Sequence, residues 1–152
     1  MAEIRTIVQE GDPLLHQPCQ EVRRFNDTLH QLLDDMMLTM HEANGCGLAA
    51  PQVGISKRVI VVDDGENPPV EMVNPKIIKR SGAEVDVEYC LSVPGRGGKV
   101  IRSTEITIEA QDRNGEKFFT EVEGFPARIF QHEIDHLDGK LFTDVMVEEV
   151  RD

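Results

Sequence analysis

The sequence has no apolar run near the roughly 18 residues of a membrane-spanning helix, so no membrane partner is expected. Its opening, MAEIRTIVQEGDPLL, lacks a cationic start followed by an apolar stretch, and no secretory signal is read there. The same stretch is too acidic for a typical transit peptide. The expected location is the cytoplasm, or an organelle if a leader has been removed. Cations are scarce: 16 Lys and Arg stand against 28 Asp and Glu, a formal charge of −12. Such a surface repels phosphate backbones and anionic lipid. The longest basic cluster is Arg23-Arg24, so direct nucleic-acid contact is not expected. Cysteines are few and odd in number, Cys19, Cys46 and Cys90, which argues against a disulfide framework. Each is then a small buried apolar residue, a metal ligand or a nucleophile. Internal repeats, linkers and low-complexity stretches are absent too.

What is present fits one domain, residues 1–152, with room for a sizeable core. Phe25, Leu29, Leu32, Leu33, Met36, Met37 and Met40 recur at helical spacing. Asn26 or Asp27 can cap that helix and Asn44-Gly45 ends it. The methionine stripe reads as core packing. The lead-in at 11–20 is broken by Pro13 and Pro18, and 45–54 (GCGLAAPQVG) is rich in glycine. Arg58–Asp63 reads as a buried strand, with further strands at about 70–80 and 84–92. Residues 94–98 (PGRGG) read as a loop. A hairpin follows, turning at Asn114-Gly115. Phe125–Leu137 is a second helix, with Pro126 in its first turn and Gly139 past its end. The last residues, KLFTDVMVEEVRD, allow one short strand and a tail. Many short strands with two separated helices predict an α+β fold. Antiparallel strands would pack around a central helix carrying HExxH, with the other helix N-terminal to them.

That HExxH, His132-Glu133-Ile134-Asp135-His136, is the sharpest local signal. Residues four apart on a helix share a face, so His132 and His136 can reach one ion. Glu133 beside them can take a proton from a water at that ion. A third ligand discriminates among classes. The metzincin spacing would need a histidine where Phe142 stands, and that class fails. A thermolysin-like site would need a downstream glutamate on another helix, and Glu148 and Glu149 lie in the tail. The ligand is therefore sought upstream, among Cys90, Cys46, Cys19, His16, His30 and His41. Spacing does not choose between Cys90 and Cys46.

Three segments together resemble the peptide deformylase family: Gly45-Cys46-Gly47-Leu48-Ala49-Ala50-Pro51-Gln52, Glu88-Tyr89-Cys90-Leu91-Ser92, and Gln131-His132-Glu133-Ile134-Asp135-His136-Leu137. The resemblance extends through GDPLL and RVIVVD and covers nearly the whole chain. It implies metal ligands Cys90, His132 and His136, and one divalent ion, natively ferrous iron (Fe2+), replaceable by Zn2+, Ni2+ or Co2+. It implies removal of the formyl group from the formyl-methionine of nascent polypeptides, a step of protein biosynthesis. Glu133 would serve as general acid and base. Gln52 and the Leu91 N–H would stabilise the oxyanion. Gly45 and Gly47 would let the peptide lie along the loop as an added strand. Asp135 would steady a ligand histidine or bridge to a cation.

Three departures from the family pattern stand out. Tyr89 replaces the glycine before the cysteine and is expected to touch substrate or narrow the entrance. Gly97 stands where many relatives have an arginine, with Arg96 adjacent. The chain stops soon after LFTDVM, where some relatives continue into a helix implicated in ribosome docking, so any ribosome contact is expected to be made otherwise or to be weak. A related metal-dependent N-acyl amidase and an inactive metal-binding homologue are the competing readings.

Overall fold

The computed structural model describes residues 1–151. The methionine-striped segment forms helix α1, Asp27–Glu42. Asn26 caps it, its side-chain oxygen accepting from the Leu29 N–H at 3.2 Å. The chain then leaves through Asn44, whose φ of +57° is a left-handed conformation that asparagine tolerates.

Eight strands follow in chain order: β1 (Gly47–Ala49), β2 (Val59–Val62), β3 (Val70–Ser81), β4 (Glu84–Cys90), β5 (Val93–Arg102), β6 (Glu105–Gln111), β7 (Lys117–Glu123) and β8 (Glu148–Arg151). Helix α2, Gly124–Leu137, carries HExxH. A one-turn helix α3, Phe142–Val145, precedes β8. One sheet has the order β1-β2-β3-β6-β7 and the other β4-β5-β8. All named strand pairs are antiparallel.

Why Val59-Ile60-Val61-Val62 is apolar without a break is visible in the packing. Successive strand residues face opposite sides. Ile60 and Val62 join Ile129, Phe130, Ile134 and Leu137 of α2. Val59 and Val61 join Leu29, Leu33, Met36 and Met40 of α1. The larger sheet is thus covered on both faces, and the two predicted helices are its two covers. A third cluster, Leu15, Val93, Val100, Leu141 and Phe142, lies under the small sheet. The α+β architecture around the HExxH helix is as expected. Among the described residues no helix is long and apolar enough to cross a membrane.

Residues 94–98 correct the loop expected there. They lie inside β5, paired with β4 through Glu88↔Gly98 and Tyr89↔Gly97. Gly95, at φ +77°, takes up the irregularity at the hairpin end. The other two glycines are there because neighbours fill their side-chain space: a β-carbon on Gly97 or Gly98 would collide with Tyr89 or Met146. Glycine content mimicked a loop; close packing on a strand is the cause. The C-terminal stretch likewise contains a helical turn besides its strand, because Phe142 must turn inward to reach the third cluster.

Candidate active site

Helix α2 is built to hold polar groups in a dry place. Gln131 anchors it sideways: its Nε2 donates to the Ser103 carbonyl at 2.8 Å and its Oε1 accepts from the Ser103 N–H at 3.0 Å. His132, Glu133 and His136 are all buried. Cys90 reaches them from the end of β4, with its Sγ 3.4 Å from Nε2 of His136. One donor atom from each of Cys90, His132 and His136 lies within 4.8 Å of the others.

The orientation of His132 is set from behind. Its Nδ1 lies 2.8 Å from Oε1 of Glu88. An ionised carboxylate only accepts, so Nδ1 carries a proton and donates, which turns Nε2 toward Cys90 as the atom free to meet a metal. Glu88 is itself buried, with Arg102 at 2.8 and 2.9 Å and Arg128 at 2.7 Å. Burial opposes its ionisation, but Arg102 and His132 overcome this and hold the carboxyl well below the usual range. Arg102 also bridges to Asp135, the second of the two roles expected of that aspartate. Phe142, which fails as a metzincin ligand, stacks on the His132 ring at 6.1 Å between centroids.

Burial, and then His132 and Arg102, push the His136 imidazole down, so it is neutral, the form that ligates. The Glu133 carboxyl is pushed up to about 7, first by burial and further by Glu88, against His132 and Arg102. Its Oε1 is buried with no hydrogen-bond partner among the described residues. A buried carboxylate oxygen without a donor fits a water molecule beside a metal. Three protein donors, one sulfur and two imidazole nitrogens, fit a borderline-soft divalent ion with a position left for water.

Gln52 lies opposite, buried in the turn after β1. Its Oε1 accepts from the Ala49 N–H at 2.9 Å, which orients the amide. Its Nε2 then points to Ser92 Oγ at 3.1 Å and Cys90 Sγ at 3.4 Å. The N-terminal segment ties both loops down: the Val8 N–H donates to the Gln52 carbonyl and the Glu10 N–H to that of Ser92, each at 2.7 Å.

These groups line one cleft of about 320 Å³: Gly45, Cys46, Gly47, Gln52, Tyr89, Cys90, Leu91, His132 and Glu133 are all on its wall, with Asn44. A larger cavity of about 920 Å³ at the start of α1 collects Arg5, Arg23, Arg24 and Lys57 but is lined by no cysteine or histidine. Cys46 stands on the cleft wall outside the converging donor set. Burial and the Glu133 carboxylate raise its thiol, which keeps it protonated. Cys19 is in the core.

Gly47 has a sharper reason to be glycine than an approaching peptide. A β-carbon there would sit 2.5 Å from Oε2 of Glu133. Gly47→Ala is expected to displace that carboxylate and lower turnover about 100-fold, the scale of a catalytic group misplaced by about 1 Å. Steady-state kinetics check it; a wild-type rate would show that the carboxylate has room to spare. Gly45 likewise leaves space for Leu91.

Sequence reasoning assigned no role to Glu88, Arg102, Arg128, Ser92 or Phe142. Glu88 had two signals, its place in the family-resembling segment and its position two residues before Cys90. The arginines had none, because their partners are 14 and 40 residues away.

A helix supplying two imidazoles and a carboxylate to a cysteine-bearing cleft is the arrangement of the metal-dependent hydrolases, the class this fold and site define. Comparison with known proteins narrows it. The model of the polypeptide deformylase family matches residues 4–152. A peptide deformylase of Halothermothrix orenii is 49% identical over 138 residues, 90% of each chain. One of Caldicellulosiruptor bescii is 51% identical over 144 residues, 95% of this chain and 86% of the relative. Among solved structures, the peptide deformylase of Thermotoga maritima superimposes with a TM-score of 0.92 at 41% identity, covering 95% of this chain and 98% of that one. The chain belongs to the polypeptide deformylase family.

Proposed function

We propose that the protein removes the N-formyl group from formyl-methionyl nascent peptides in the cytoplasm. The observation that carries this is the convergence of Cys90, His132 and His136 beside Glu133 and Gln52 in one cleft. Cys90, His132 and His136 would hold one divalent ion. Ferrous iron would be the native one, and zinc, nickel or cobalt would suit the same donors. When bound, the ion supplies Lewis-acid chemistry, polarising water and the formyl oxygen.

The chain's own residues do the rest. Glu133 takes a proton from the attacking water as its oxygen bonds to the formyl carbon. The Gln52 amide and the Leu91 N–H donate to the oxygen that becomes negative. Glu133 then returns the proton to the methionine nitrogen as the C–N bond breaks, releasing formate and a free amine. Glu88 keeps His132 in the tautomer that ligates. Gly45 and Gly47 keep the cleft wall bare, and Tyr89 touches the peptide at the rim. Residues 1–152 act as one catalytic domain on formyl-methionyl peptides, with no direct contact to nucleic acid.

Anaerobically purified, iron-loaded protein is expected to deformylate formyl-Met-Ala-Ser. Absence of turnover with the metal shown to be bound would sink the proposal. Hydrolysis of acetyl-Met-Ala-Ser in its place would mark a different N-acyl amidase. Cys90→Ser is expected to weaken metal binding and Cys46→Ser to leave it intact, read by elemental analysis and metal-edge absorption. The reverse result would reassign the sulfur ligand.

A further inference from the structure

Tyr89 and Gly97 depart from the family pattern eight residues apart in sequence, and they face each other in space. They are cross-strand partners on β4 and β5. A β-carbon on Gly97 would lie 2.6 Å from Cε1 of the Tyr89 ring and 3.0 Å from Cζ. The ring therefore rests on the bare α-carbon of Gly97, and a side chain at one position excludes this placement of the other. The bulk of this pair stands on β4 and none on β5.

The neighbouring cation does not substitute. Successive residues of a strand face opposite sides, so Arg96 lies on the other face from Gly97. Its guanidinium is held by Glu149 and by Glu10, the latter at 2.8 Å. The cleft rim on this side thus presents an aromatic ring and no guanidinium. Tyr89 lines the cleft directly before Cys90 and is 55% exposed. Its hydroxyl makes no hydrogen bond among the described residues, so the ring itself is the contact surface.

We infer that Tyr89, seated on Gly97, determines specificity for the residues that follow the methionine, favouring an aromatic or aliphatic side chain over a carboxylate. This rests on the deformylase reading of the cleft. Aromatic pairs gain beyond the area they bury, while the negative face of a ring gives a carboxylate nothing. The ring is also held in place before the peptide arrives, which lowers the ordering cost of binding. It touches residues remote from the formyl carbon, so its effect falls on KM with little change in the ratio of kcat values.

The test compares formyl-Met-Phe-Ser, formyl-Met-Ala-Ser and formyl-Met-Asp-Ser on the metal-loaded protein. The native chain is expected to prefer Phe to Asp in kcat/KM by about 3- to 10-fold, the scale of one aromatic contact. Tyr89→Phe keeps that ratio, Tyr89→Gly brings it toward one, and the exchange Tyr89→Gly with Gly97→Arg inverts it. A ratio that stays the same in Tyr89→Gly, with formyl-Met-Ala-Ser still turned over, overturns this inference alone. No deformylation of any of the three overturns the underlying reading and this inference with it. The seating has a readout that needs no turnover. Gly97→Ala is expected to lower Tm in the native background and to do so less beside Tyr89→Gly. An equal loss in both backgrounds overturns the seating.

Discussion

Glu133→Ala is expected to keep its metal and lose about 10²–10⁴ of its turnover, the usual contribution of a positioned acid–base group. Three features of the site separate this residue from its neighbours on α2. It lies outside the converging set of Cys90, His132 and His136, so truncating it removes no metal donor. Burial pushes its carboxyl up to about 7, close to the value a group needs to accept a proton and return it near neutral pH. Its partnerless Oε1 has no structural bond to lose. The fold should therefore survive, and the loss should lie in kcat. Elemental analysis beside steady-state kinetics reads both quantities. Loss of the metal together with activity would make Glu133 a ligand.

Glu88→Ala should instead damage the fold and the metal site together. The carboxylate accepts from Arg102, Arg128 and His132; without it Arg102 keeps Asp135 and Arg128 keeps the Val100 and Glu84 carbonyls, and His132 loses its partner. Removing one member of a buried charge cluster costs about 3–5 kcal/mol. Freeing Nδ1 of His132 also loosens its ring, a change that lowers metal affinity about 10–100-fold in comparable sites. Glu88→Gln should fall between, since the amide oxygen can still accept from His132 while losing the charge that faces two guanidinium groups. Denaturant unfolding of the metal-free chain separates the stability term from the affinity term, and a metal-buffer titration reads the latter. Unfolding unchanged in Glu88→Ala would mean that the partners Arg102 and Arg128 keep are sufficient, Asp135 among them.

Much of this protein was legible from local periodicity. Leu29 through Met40 at helical spacing placed α1, and alternation around Asn114-Gly115 placed the β6–β7 hairpin. The unbroken Val59–Val62 run reads as buried, and it is buried on both faces. Residues 94–98 went the other way, since glycines required by packing look the same in sequence as glycines required by a turn. HExxH put two imidazoles and a carboxylate on one helix face because that geometry is internal to a helix.

The sequence by itself determined, through short-range spacing, the two helices, the hairpin and the pair His132 and His136 beside Glu133. Spacing left Cys90 and Cys46 unseparated; the family resemblance favoured Cys90, and the fold brings Cys90 to the two histidines while Cys46 stays outside. Only tertiary structure decided that Glu88 holds His132, that Arg102 and Arg128 hold Glu88, and that Tyr89 rests on Gly97. The physical reason is range. A helix repeats every 3.6 residues and writes its faces into the sequence, whereas a cross-strand pair or a buried ion cluster depends on register and sheet packing, which no local pattern records.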